Sequence, residues 1–137
     1  MKIEKVIYEL YESDYSYIKD ITEADAHEID REIYLVLDNG KHIYISWSNE
    51  PMQFSVGYKD HHWFKNEPDK TMEATSWKIW KDTIGQEFEF VYHDKNNQVL
   101  ELKSTNTSVY FAPLEKENNN WSIDVLHISN TLPTVGS

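Results

Sequence analysis

Ile33-Tyr34-Leu35-Val36-Leu37-Asp38-Asn39-Gly40-Lys41-His42-Ile43-Tyr44-Ile45-Ser46-Trp47 is the stretch that decides the fold class. Two runs rich in β-branched and aromatic residues flank Asp38-Asn39-Gly40-Lys41, which reads as a β-hairpin. Two registers compete. A two-residue Asn-Gly turn pairs Leu37 with His42 and Leu35 with Tyr44. A three-residue loop with Gly40 in a bulge pairs Leu37 with Lys41, Leu35 with Ile43 and Ile33 with Ile45. The second register gathers Ile33, Leu35, Leu37, Ile43, Ile45 and Trp47 on one face, and segregation of faces selects register. The opposite face, with Tyr34, Val36, His42 and Tyr44, is still fairly apolar, so the hairpin should be central and covered on both sides.

A second hairpin runs outward from Glu87 to Lys103. Phe88, Phe90 and Tyr92 alternate with Glu87, Glu89, Val91 and His93, and Asp94-Lys95-Asn96-Asn97 makes the turn before Leu100 and Leu102. This pattern predicts an antiparallel pair with one wet face. Val109 to Leu114 and Trp121 to Ser129 form a third pair joined by the polar loop Glu115 to Asn120. Shorter strands are expected at Ile3 to Tyr8 and Gln53 to Tyr58. Ser76 as N-cap and Gly85 at C′ bracket a predicted helix over Trp77 to Ile84, with Trp77, Trp80 and Ile84 on its buried face. Tyr8, Tyr11, Tyr15 and Ile18 also recur at helical spacing, but Ser13, Asp14 and Ser16 weaken a helix there, and residues 9–30 read as mixed. The expected fold is therefore mostly β, α+β at most. About eight antiparallel strands would form a curved sheet or partly open barrel, or else a sandwich, with one or two short helices packed on it. Residues 1–130 read as one globular domain and 131–137 as a flexible tail.

The chain has 137 residues, no cysteine, and a formal charge of −11 from 24 acidic and 13 basic side chains. That length closes a core. The lack of cysteine excludes disulfides and thiolate metal sites and fits a cytoplasmic protein. No apolar run is long enough to span a bilayer, and the charged start Met1-Lys2-Ile3-Glu4-Lys5 is not expected to be a signal peptide. With one arginine, Arg31, and a large acidic excess, the chain would repel nucleic acid and anionic membranes. The charge is uneven: eight acidic residues between Glu9 and Asp30 face the single basic residue Lys19.

Catalytic chemistry is sparse. There is no nucleophile elbow and no phosphate-binding glycine loop. Glu87 and Glu89 share one side of a strand, but alternating Glu and Phe is what any half-exposed strand shows. His61, His62, His93 and His127 are the candidate metal ligands. Adjacent His61 and His62 point apart on an extended chain, so a site needs ligands from elsewhere, and neither a metal nor another cofactor is expected. Trp63 and Phe64 sit in a polar loop, where an aromatic pair could anchor a partner.

These features suggest a non-enzymatic protein-binding module. Its expected partner-binding residues are Glu12, Asp14, Tyr15, Tyr17, Asp20, Glu23, Asp25, Trp63 and Phe64, and its expected partner is a basic protein. In size, charge and lack of catalytic motifs the chain is similar to small acidic bacterial inhibitors of basic toxins, the immunity partners of nucleases and other effectors, although no motif ties it to a named family. The alternative is a β-module that binds a sugar or small apolar molecule in a pocket lined by Tyr34, Tyr44 and Tyr92. Homodimerisation through an edge strand at Ile3 to Tyr8 is a further option.

Overall fold

In the computed structural model, which describes residues 1–50, 55–113 and 125–133, the hairpin adopts the bulged register. β3 (Glu32–Leu37) and β4 (His42–Ser48) pair Ile33 with Ile45 and Leu35 with Ile43. The Leu37 N–H donates to the Lys41 carbonyl, and Gly40 turns the loop at φ +83°, a left-handed conformation that glycine adopts at no steric cost. Ile33, Leu35, Leu37 and Ile45 are buried, as face segregation requires.

The described residues form two five-stranded antiparallel sheets. In the first, β5 (Ser55–Lys59), β4, β3, β1 (Ile3–Leu10) and β6 (Lys70–Glu73) lie side by side. The second orders β2 (Ala26–Ile29), β10 (Leu126–Ser129), β9 (Ser108–Ala112), β8 (Leu100–Ser104) and β7 (Phe88–Tyr92). Their inner faces share one core: Ile3, Val6, Ile33, Leu35 and Ile45 from the first meet Leu100, Leu102, Val109, Phe111, Leu126 and Ile128 from the second. This is a sandwich, and among the described residues no barrel closes. The second hairpin forms as read, with Phe90 opposite Leu102; of the third pair, the described strands β9 and β10 set Phe111 opposite Ile128. Of the predicted segments, Gln53, Phe54, Leu114, the loop Glu115 to Asn120 and Trp121 to Asp124 lie outside the described residues, as do 134–137 of the tail.

Three differences from the sequence reading have physical causes. Among the described residues ten strands appear rather than about eight, because β2 and β6 are four-residue strands whose composition carries no alternation long enough to read. β1 lies between β3 and β6, so it offers no edge for dimerisation. Residues 77–84 form successive turns and not an α-helix. Their hydrogen bonds run mostly three residues back, as from Trp77 to Ala74 and from Trp80 to Trp77. Trp77, Ile79, Trp80 and Thr83 are all buried, and no single helical face would bury both 77 and 79. The predicted terminator holds: Gly85 has φ +77°.

One helix is present among the described residues, α1 (Glu12–Ile18), with Ile18 buried beneath it. It runs from the end of β1 toward β2. A buried polar chain fastens this corner. Trp80 Nε1 donates to the Tyr8 hydroxyl at 3.0 Å, and the hydroxyl lies 3.1 Å from His27 Nδ1. His27 Nε2 lies 2.9 Å from the Ile21 carbonyl. One assignment satisfies every atom: Nε2–H donates to Ile21, and Nδ1 accepts from Tyr8. His27 is then neutral, and burial holds its pKa below the ordinary histidine value.

Tyr8→Phe removes the hydroxyl and leaves the Trp80 N–H and His27 Nδ1 without partners. The variant should lose about 1–3 kcal/mol of stability in urea unfolding followed by tryptophan fluorescence. An unchanged midpoint would show that the chain does not fasten the corner.

Candidate functional site

Two regions carry chemistry. The first is the acidic surface formed by α1, the turn after it and β2. Of its predicted residues, Glu12, Asp20, Glu23 and Asp25 are exposed. Asp20 pairs with Lys19. Lys78 draws in two others: its backbone N–H donates to Glu23 and its ammonium pairs with Asp25 at 2.8 Å. Asp14 is a correction. It is buried, and its carboxylate accepts the Asp30 N–H at 2.8 Å, so it braces the start of β3 and cannot steer a partner from the surface. Desolvation raises its pKa despite that hydrogen bond. Tyr15 is half-buried against the core, with the Lys70 ammonium over its ring.

Tyr17 is 40% exposed and Ile21 37%. Together with Ala26, His27 and Glu28 they line a concavity of ≈350 Å³. Burial of its hydroxyl, then the nearby Asp14 carboxylate, push the Tyr17 pKa up to about 12, with Glu28 and Asp30 adding to the effect, so the ring sits in a negative field. β2 borders this concavity and, among the described residues, has β10 as its one strand neighbour. Ile21, Glu28 and Asp30 were not singled out from the sequence. Acidic runs are visible there, but which acids share a surface depends on β2 pairing with β10.

The second region is the outer face of the first sheet. The β1–β3 register sets Glu9 directly opposite Glu32, with Tyr34 and Tyr44 beside them on the same face. Residues 60–68 fold over this face. Trp63 is half-buried, not projecting: its Nε1 donates to the Tyr44 carbonyl at 2.9 Å, and its ring lies under the Lys59 ammonium and over Gly57. Phe64 meets Trp47 edge-on and lies beneath Arg31. The loop pair therefore tucks back onto the sheet, where it holds the loop and does not offer a surface anchor.

This folding brings His62 to the two glutamates. Its Nδ1 is 3.1 Å from Glu32 Oε2 and 3.0 Å from Glu9 Oε1. Glu9 is 6% exposed and Glu32 0%. The Trp63 backbone N–H donates to Glu32 Oε1 at 2.9 Å. Arg31, also buried, places Nη2 4.0 Å from Glu32 and donates from it to the Asn66 carbonyl at 2.8 Å. Burial and the facing Glu32 carboxylate raise the Glu9 pKa above the usual carboxylate range, outweighing the help of His62 and Arg31.

The other histidines go elsewhere. His61 is exposed beside Asp60, His93 pairs with Glu101 and His127 faces Glu28. Glu87 and Glu89 do share one exposed side at the start of β7, lining a shallow groove with Lys103, where Glu87 binds the N-terminal ammonium at 2.6 Å. Tyr34 and Tyr44 are neighbours, with ring centroids 5.1 Å apart. Tyr92 instead donates to the Val56 carbonyl and stacks on Tyr58, so the three tyrosines do not line one pocket.

Comparison with protein-family models, curated proteins and solved structures gave no significant match. Among the described residues no helix is long and apolar enough to cross a membrane.

A β-carbon at Gly57 would stand 2.5 Å from Trp63 Cη2 and 2.8 Å from Cζ2, so the pinned ring would have to move. Gly57→Ala should therefore cost about 1–3 kcal/mol and red-shift part of the tryptophan emission as Trp63 leaves Tyr44. Unaltered stability and emission would show that the loop is not held by this contact.

Proposed function

We propose that this chain is a small acidic protein-binding module, acting in the cytoplasm as an immunity-type inhibitor that covers the cationic site of a basic toxin or effector. The observation that carries this reading is the α1–β2 concavity, where the exposed Tyr17 and Ile21 sit beside Glu28 at the edge of the second sheet, with Asp14 and Asp30 within electrostatic reach of the Tyr17 ring. Interface hot spots have this composition: an aromatic anchor at the centre and charge at the rim.

Each part has a physical role. The excess of acid over the surface accelerates encounter with a basic partner and penalises acidic ones. The Tyr17 ring offers its face to a lysine or arginine, and Glu28 stands beside it to accept the cation's hydrogen bonds. Glu12, Asp20, Glu23 and Asp25 extend the field over the neighbouring surface, as a full interface of about 800 Å² per partner requires. The carboxylates around the short edge strand β2 also oppose pairing with another copy of the same acidic edge.

The test is capture on immobilised protein from a lysate of its own source, with identification by mass spectrometry. The expected result is a basic protein retained at low ionic strength and released at about 0.5 M salt, where screening leaves only close contacts. The Tyr17→Ala/Glu28→Gln variant should bind that protein with a loss of about 2 kcal/mol or more, roughly thirtyfold in Kd. Retention of no basic protein, or unchanged retention by the variant, would remove this reading.

A further inference from the structure

We propose that Glu9, Glu32 and His62 form a binding site for a divalent first-row transition-metal ion, with Zn²⁺ as the representative species. The site lies on the outer face of the first sheet and is separate from the α1–β2 concavity, so it stands or falls independently of the protein-binding role.

The geometry matches a coordination shell. The candidate ligand atoms all lie within 4.8 Å of one another. His62 Nδ1 is 3.0 Å from the Glu9 oxygen and 3.1 Å from the Glu32 oxygen. Adjacent ligands on an ion with bonds near ~2.1 Å are about 3.0 Å apart in octahedral geometry and about 3.4 Å apart in tetrahedral geometry. Both nitrogen–oxygen separations fall at the octahedral spacing, and the two carboxylate oxygens lie no more than 4.8 Å apart.

A second observation points to a missing ligand. Glu9 is more than nine-tenths buried, yet its Oε1 has no hydrogen-bond partner among the described residues. It faces the one nitrogen that already serves Glu32. Nδ1 carries a single proton or a single lone pair, so it cannot satisfy both carboxylates. A cation between them satisfies all three atoms at once. The burial agrees: two carboxylates face each other across the strand pair with one guanidinium and one half-exposed imidazole between them, and poorly compensated buried charge is costly.

The surroundings resemble the support a metal site requires. The Trp63 N–H holds Glu32 Oε1 and leaves Oε2 directed at His62, the outer-shell orientation that fixes ligating carboxylates. His62 is about half-exposed on its side chain, with Nδ1 turned toward both carboxylates. A cleft of ≈80 Å³ opens beside Glu9 and His62, enough for waters to complete the shell. One imidazole nitrogen and two carboxylate oxygens suit zinc, manganese or ferrous iron. They lack the thiolates that select copper(I) and the six or more oxygens that calcium prefers. Arg31, 4.0 Å from Glu32, weakens the attraction without blocking the ligand atoms.

Metal-free full-length protein dialysed against micromolar Zn²⁺ and assayed by elemental analysis tests the proposal. Wild type and His61→Gln should each retain one zinc per chain. His62→Gln and Glu9→Gln should bind at least about tenfold more weakly, with their circular dichroism unchanged. Visible absorption of the Co²⁺-loaded wild type should show d–d bands that His62→Gln loses. His62 is half-exposed, so His62→Gln carries the test alone if Glu9→Gln fails to fold. Absence of stoichiometric zinc in the wild type, or equal uptake by His62→Gln, would overturn the assignment; the second result would place the ion at His61–Asp60 or on surface carboxylates.

Discussion

The pairing register of β1 with β3 is the constraint on which the rest of the molecule depends. On the inner face it sets Val6 against Leu35 and Tyr8 against Ile33, the residues that meet the second sheet. Slipping by one residue would turn that apolar set outward, so the register is held by the whole core. The same register has a cost on the outer face. It places two glutamates directly opposite each other, an arrangement that destabilises antiparallel pairs, and it does so where both carboxylates are buried. Arg31, His62 and the Trp63 amide are gathered around that pair, and the loop's path over the sheet follows from supplying them.

Both functional regions trace back to this arrangement. β1 ends at Leu10, and α1 starts two residues later, so the strand that positions Glu9 also launches the helix that presents Tyr17. The Asp14 carboxylate then ties that helix to Asp30, just before β3. Tyr8 binds the same strand to His27 of β2 and to Trp80. The acidic concavity and the carboxylate–imidazole group thus occupy different surfaces while sharing one rigid support. Sites built on strands and their immediate ends hold geometry better than sites on free loops.

Much of the fold was legible in the sequence, and the reasons are local. The Ile33–Trp47 hairpin declared both its turn and its register, because only one register separates the two faces. The Glu87–Lys103 hairpin was readable from strict alternation. β2 and β6 were not, since a four-residue strand shows too little periodicity and exists through its partners. Residues 77–84 had helical spacing and a correct glycine stop, but the gap between the sheets takes Trp77, Ile79 and Trp80 together, and tertiary packing overrode the helical pattern. The site was less legible. Asp14 reads as one more surface acid until its contact with Asp30 is seen. His62 stands out as a candidate ligand, yet its partners lie 53 and 30 residues away in the chain, and pairing at that range is decided by strand register. Trp63 and Phe64 looked unsupported because the apolar surface beneath them comes from β4 and β5.

The central claim is that the Glu9–Glu32 pair is held together by the register at a cost that the protein alone does not fully offset. Equilibrium urea unfolding of wild type and Glu9→Gln in metal-free buffer at pH 8 tests it most directly. Removing a buried carboxylate that lacks compensation should leave the variant at least as stable as the wild type. Loss of about 3–5 kcal/mol, the range expected when one member of a satisfied buried ion pair is removed, would contradict the account and make Glu9 an ordinary partner of Arg31.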